Sequence, residues 1–498
     1  MLFSSITFLY IFLPLVICLY GMVSMLSAGE RSRLAGKRSC FAQNMLLLLV
    51  SLVFYAWGEP VYVLLMLGQI AVTYGLTLWM EKKRGTWIGR VVYILAVVFP
   101  LASLFYFKYS GFLYQVFLEE TQFFGKSLSF LKEVVLPIGI SFYTFQMLSY
   151  VIDVYRGRVA VQKNPMYFAC YVALFPQLIA GPIVRYSDIE QELDNRQWSA
   201  ENMYDGIVRF SVGLAKKVLL ANTLGEFVVE VSKIQERSIL LSWGYALAVF
   251  LQIYFDFSGY SDMAIGLGKM FGFRFPENFD HPIISKSISE FWRRWHMTLG
   301  SWFRDYVYIP LGGNQVPMWK WIRNIFIVWF LTGFWHGAGW NFIVWGLLFG
   351  VLLLFEKVTG IASKDTKQLR DFTWKLCAIQ LLKHAYVIIM ILISFLIFHA
   401  ADMQEAWTDI QGLWKNHALT QAGVETSAYL LRNRYGLLLI AVVGATPLPK
   451  WCWQKVTQKW ETSLAMTSMQ FVLIMLSLLL CTAYLVDASF NPFLYFRF

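Results

Sequence analysis

The residue best placed to do chemistry is His336, in Phe334-Trp335-His336-Gly337-Ala338-Gly339-Trp340, between two strongly apolar runs. An imidazole buried in such surroundings stays neutral and can accept a proton, the requirement for a general base. From Asn324 to Trp335 is 12 residues, about 18 Å of helix, against a bilayer core of about 30 Å. If Asn324 starts at the cytoplasmic surface, His336 stops at interior depth. An ionisable residue there marks a functional site by default. The alternative is a structural histidine hydrogen-bonded between helices. The flanking glycines favour function, because they let a chain or a substrate approach closely.

His296 is the second candidate, in Trp292-Arg293-Arg294-Trp295-His296. An aromatic, basic interfacial helix also carries histidines incidentally. Arg293, Arg294 and Arg304 could pair with phosphates of a donor, or with lipid head groups. Asp256 and Asp262 are six residues apart, do not share a helix face, and read as structural. His281, before Pro282, reads as a solvated loop residue. His384, His399 and His417 have no partner pattern. Walker, GxSxG, HExxH and CxxC patterns have no convincing context. The six cysteines sit mostly in or beside apolar runs, which supports neither a disulfide framework nor a metal site.

The elements that must position these residues are membrane helices. Of 498 residues, 58% are hydrophobic and 15% charged, and the mean hydropathy is +0.53. Soluble domains carry about 25% charged residues, so a soluble enzyme, a disordered regulator and a secreted disulfide scaffold are excluded. The net charge of +11 does not indicate nucleic-acid binding, because the basic residues lie in short loops between apolar spans, where they encode orientation. Spans are predicted at 3–26, 45–57, 61–80, 91–112, 134–152, 165–181, 239–257, 324–336, 340–356, 376–399, 435–449 and 466–486. The first reads as a retained span rather than a signal peptide. Several are broken by Gly or Pro, as at Leu136-Pro137-Ile138-Gly139, which at membrane depth is tolerated only inside protein or beside a water-filled cavity.

Basic loops at 27–44, 81–90, 357–375 and 450–461 alternate with slightly acidic ones at 113–133 and 400–434. This alternation predicts that both termini are extracytoplasmic. Residues 203–232 read as an amphipathic or shallow helix. Residues 269–323 read as a cytoplasmic-side interfacial segment, with an aromatic-basic helix over 285–304. The chain reads as one integral membrane unit over 1–498.

Specific motifs add a resemblance. Leu136-Pro137-Ile138-Gly139-Ile140-Ser141-Phe142-Tyr143-Thr144-Phe145-Gln146, Phe175-Pro176-Gln177-Leu178-Ile179-Ala180-Gly181-Pro182-Ile183 and Asp280-His281-Pro282 are similar to signatures of the membrane-bound O-acyltransferase family. So are Phe291-Trp292-Arg293-Arg294-Trp295-His296, the run from Arg304 to Asn314, and Trp335-His336-Gly337. The chain most resembles the bacterial alginate O-acetyltransferase branch, which includes the D-alanyl transfer protein of teichoic acid synthesis.

The resemblance implies an all-α polytopic fold. It would have about ten to twelve transmembrane or re-entrant helices, with interfacial helices, around a central tunnel. It implies that His336 is catalytic, with His296 as the upstream histidine. No bound cofactor is implied; acetyl-CoA or an acyl carrier protein thioester is the donor substrate. The expected partners are a polysaccharide acceptor and a separate extracytoplasmic SGNH-type transferase, in a bacterial cell membrane. The terminal Phe493-Leu494-Tyr495-Phe496-Arg497-Phe498 resembles the branch's tail motif, in which Tyr495 would relay the acyl group outside; otherwise the tail is an aromatic interface anchor. D-alanyl transfer to teichoic acid and transport of a lipid-linked saccharide remain the competing readings.

Overall fold

A computed structural model describes residues 1–31, 40–118, 131, 134–361, 374–458 and 464–487. Among them the secondary structure is helical throughout. Among the described residues eight helices are long and apolar enough to cross a membrane, and a ninth span arises if Gln421–Ala445 and Leu448–Gln458, bent by 64°, count as one. The chain is an all-α, multi-pass membrane protein. It divides into two compact units, Met1–Val212 with Tyr260–Glu277, and Gly213–Gly259 with Asn278–Phe498.

In the first unit, Leu13–Arg31, Phe41–Gly58, Tyr62–Lys82 and Trp87–Leu113 form the long apolar helices. Thr86 caps the last of these, its side chain accepting a hydrogen bond from the Gly89 amide. Two predicted spans turn out short. Residues 134–152 contain a 16-residue helix, Ile140–Tyr155, buried from Ile140 to Val154 even at Ser141, Thr144, Gln146, Ser149 and Asp153. A helix buried on all sides faces protein rather than lipid. Gly139, at φ +76, starts it; a Cβ there would lie 2.5 Å from the Leu178 carbonyl oxygen. Only glycine combines that left-handed turn with that close approach. Residues 165–181 break into Pro165–Ala173 and Phe175–Leu178. The two proline-containing motifs are therefore contacts between broken segments.

In the second unit, helices Met318–His336 and Trp340–Thr359 form a tight hairpin. Its closeness depends on Gly333 and Gly346: a Cβ on either would strike the Phe342 or the Trp329 carbonyl, and from Gly346 it would lie 3.0 Å from Gly333 Cα. Trp374–His399 packs against the same hairpin. Residues 200–232 are continuously helical, with a π-helical stretch at Lys216–Asn222. Lys217, expected on an amphipathic surface, is buried there and pairs with Asp256 at 2.7 Å.

Asp256 and Asp262 do not lie at a helix end. Both lie within the single helix Ile239–Met270, and Asp262 binds Arg209 at 2.8 Å. Both are buried and held in ion pairs within the protein.

Candidate active site

Three expectations about the elements that carry the site need correction. The helix ending in His336 starts at Met318, six residues before Asn324. Asn324 does not mark a surface: it is fully buried, and its Nδ2 donates to the Leu311 and Gly313 carbonyls at 3.1 and 3.2 Å. His336 is thus interior because protein surrounds it, at 6% exposure, and helix length does not decide the matter. The flanking glycines also serve the chain itself. A Cβ on Gly337 would strike the Phe342 ring, so what approaches there is a neighbouring side chain.

The third correction concerns 285–304. No single interfacial helix forms. Ile288–Arg294 and Met297–Phe303 are separate helices, and Phe291, Trp295, Trp302 and Phe303 are buried. The break is His296, held in the left-handed region at φ +43. His281, at φ +45, is the other such non-glycine residue among those described. It is half-buried rather than solvated, and its Nδ1–H donates to the Ala445 carbonyl at 3.3 Å. A left-handed conformation is sparsely populated outside glycine, persists only where surrounding contacts over-determine it, and concentrates at functional sites.

Those contacts are on hand for His296. The segment from Asn278 to Asp280 pairs with the chain on either side of it. The Asp280 amide donates to the Arg294 carbonyl at 2.9 Å, and the Met297 amide to the Asn278 carbonyl at 3.0 Å. The Asn278 side chain completes the clamp. Its Oδ1 accepts from the Thr298 hydroxyl at 2.8 Å and amide at 3.3 Å, and faces His296 Nδ1 at 3.0 Å. On the other side, buried Glu356 accepts hydrogen bonds from the Ile288 and Ser289 amides and the Ser289 hydroxyl, holding the start of the preceding helix.

The two histidines meet on one indole. The His296 ring centroid lies 6.2 Å from that of Trp335, and Trp335 lies 4.8 Å from His336. Phe257 stands edge-on to His296 at 4.6 Å. Trp345 and Phe398 stand edge-on to His336 at 5.1 and 5.2 Å. Both imidazoles are buried in an aromatic cluster. Burial pushes the pKa of His296 down to about 3, so it is neutral throughout the physiological range. A pair of buried imidazoles around one aromatic ring can accept protons and hydrogen bonds from a substrate that reaches them.

The arginines are less available than their motif suggests. Arg294 is bound to Asp280 at 2.7 Å and to Glu290 at 3.1 Å. Arg304 pairs with Asp305 at 2.7 Å. Arg293 is exposed. Tyr495 and the tail 490–498 lie outside the described residues. Sequence reasoning misses Asn278 and Glu356. The Asp280-His281-Pro282 motif begins two residues beyond Asn278, and nothing local marks a carboxylate 68 and 67 residues away as the partner of 288 and 289.

Fold and site together define a helical membrane protein with a buried two-histidine centre. Residues 77–400 match the model of the membrane-bound O-acyltransferase family. That range contains His296 and His336 and ends well before Tyr495. The chain belongs to this family, and it is an O-acyltransferase. It is 40% identical over 451 residues to a probable alginate O-acetylase of Pseudomonas aeruginosa, covering 88% of this chain and 82% of that protein. It is 32% identical over 482 residues to the peptidoglycan O-acetyltransferase of Helicobacter pylori, covering 91% and 87%. It is 30% identical over 249 residues to the teichoic acid D-alanyltransferase of Bacillus subtilis, covering 48% of this chain and 63% of that protein.

Proposed function

We propose that the chain moves an acetyl group from a cytoplasmic thioester, acetyl-CoA or an acyl carrier protein thioester, across the membrane for O-acetylation of an exported or cell-surface polysaccharide. The observation that carries this reading is the convergence of His296 and His336 on Trp335, in a chain similar along most of its length to an alginate O-acetylase. His336 acts as general base. It takes the proton of an attacking hydroxyl as the oxygen–carbon bond forms; the carbon–sulfur bond then breaks, and the proton passes to the departing thiolate. Such catalysis contributes roughly 10²–10⁴-fold. His296 engages the donor molecule beside its thioester. The hydroxyl is that of Tyr495, which carries the acetyl group outside, where a separate SGNH-type transferase hands it to the polysaccharide. An ordinary tyrosine, with a pKa of about 10, needs a base for this step.

In this reading the protein sits in the bacterial inner membrane with both termini outside. The test is thiol release from acetyl-CoA by the purified full chain, with mass spectrometry of the C-terminal peptide. Acetylated Tyr495 is expected. Thiol release without it removes the relay, and no thiol release from either thioester removes the proposed donor. D-alanyl transfer is the second reading, favoured by the similarity to the Bacillus subtilis protein. It predicts release of D-alanine rather than acetate from the modified polymer.

A further inference from the structure

We infer that Asn278 is a positioning residue that locks His296 in one tautomer, so that the second histidine of the site faces its substrate as a hydrogen-bond acceptor and not as a donor to the thioester carbonyl. The inference rests on the proposal that His296 takes part in acyl transfer.

The argument begins at Thr298. Its backbone N–H can only donate, and it points at the Asn278 side chain from 3.3 Å. The atom it meets is therefore the amide oxygen, and this decides which way round the Asn278 amide sits. That same oxygen lies 3.0 Å from His296 Nδ1. Two acceptors cannot share a hydrogen bond, so Nδ1 carries the hydrogen and donates. In a neutral imidazole the other nitrogen then holds a bare lone pair.

Nε2 is buried and has no hydrogen-bond partner among the described residues. A buried polar atom left unpaired is costly and calls for a reason; here the reason is a hydrogen supplied by substrate. Reversing the tautomer would place two lone pairs against each other inside a fully buried contact, since Asn278 is 0% and His296 1% exposed. The left-handed backbone of His296 is part of the same device. The Asn278 carbonyl takes the Met297 amide while its side chain takes the ring, so one residue fixes both the strained turn and the face of the imidazole that is left to react.

The chain has 6 histidines, which makes the tautomer directly measurable by solid-state NMR of the full-length protein labelled with [15N]histidine. The His296 signals are assigned by their loss in His296→Gln. A protonated Nδ1 and a bare Nε2 are expected. Asn278→Asp, which keeps an acceptor oxygen, retains this pattern, and Asn278→Ala loses it to a mixture of tautomers. A protonated Nε2 in the unmodified chain, or an unchanged pattern in Asn278→Ala, overturns the inference whatever the activity.

Thiol release from acetyl-CoA, read beside it, tests the reading underneath. Asn278→Ala should lower kcat by roughly tenfold or more with little change in KM, the worth of one buried hydrogen bond. Asn278→Asp should restore it, and Asn278→Ala should cost nothing further in the His296→Gln background. Full activity in both His296→Gln, whose amide oxygen can still accept a hydrogen bond, and His296→Phe, which cannot accept one, overturns the participation of His296. Impaired His296→Gln with additive or absent effects of Asn278→Ala overturns the role of Asn278 alone.

Discussion

Replacing His336 separates its chemistry from its packing, provided the replacement is chosen by size. The imidazole touches Trp335, Trp345 and Phe398 at ring-centroid distances of 4.8 to 5.2 Å and is 6% exposed. Alanine would leave a ring-sized void among three aromatics, at a cost of about 3 kcal/mol. Against a typical total stability of about 5–15 kcal/mol, that loss alone could empty the membrane of protein and imitate a catalytic defect. Phenylalanine fills the space, and a volume-conserving change of this kind costs less than about 1.5 kcal/mol.

Loss of the base raises the barrier by far more. A 10²–10⁴-fold contribution corresponds to roughly 2.7–5.4 kcal/mol. His336→Phe should therefore keep a thermal midpoint near that of the parent in detergent while ester-linked acetate on the exported polysaccharide falls by roughly 10²-fold or more. His336→Ala should lose both. The measurement is acetate released by mild base from polysaccharide of cells with matched protein levels. Near-normal acetylation in His336→Phe cells would refute the reasoning and leave His336 as a packing residue.

Three further outcomes follow from the same geometry. Lys217→Met removes the buried cation that pairs with Asp256 and should destabilise by roughly 3–5 kcal/mol, whereas Lys217→Met with Asp256→Leu should recover most of it; equal melting of the single variant and the parent would contradict this. Gly346→Leu forces the hairpin helices apart, at a cost of at least about 1–3 kcal/mol, read as a lowered thermal midpoint. The neutral, buried His296 confers a pH dependence. Its folded pKa of about 3 lies below an unfolded value of about 6.5, so the unfolded chain binds the extra proton between these limits and stability falls as pH falls through that window. The loss between pH 6.5 and 5 is about 2 kcal/mol and should be absent in His296→Gln, as followed by melting temperature against pH.

Much of this was legible along the chain because the bilayer constrains local composition so strongly. Eight of the twelve predicted apolar runs became long apolar helices among the described residues, since a segment in lipid must satisfy its backbone within itself. His336 was legible for a related reason, as an ionisable residue between two strongly apolar runs marks a functional site. Broken segments such as Leu136-Pro137-Ile138-Gly139 were visible as breaks. That Gly139 lies against the carbonyl of Leu178 was not.

Tertiary structure alone decided whatever depends on contact between distant residues. Periodicity read 285–304 as one interfacial helix, because Trp, Phe and Arg alternate there at helical spacing. The fold breaks it at His296, because burying Phe291 and Trp295 and clamping the chain to Asn278 outweighs the local helical preference. Asn324 looked like a surface start and is interior, its amide satisfied by two carbonyls that lie 11 and 13 residues upstream. The sequence thus determined the membrane helices and named the two histidines. Only packing brought those histidines onto Trp335 and occupied most of the arginines, and only Asn278, 18 residues before His296, decided which nitrogen carries the proton. Hydrogen-bond direction is a property of the folded contact, and no spacing rule encodes it.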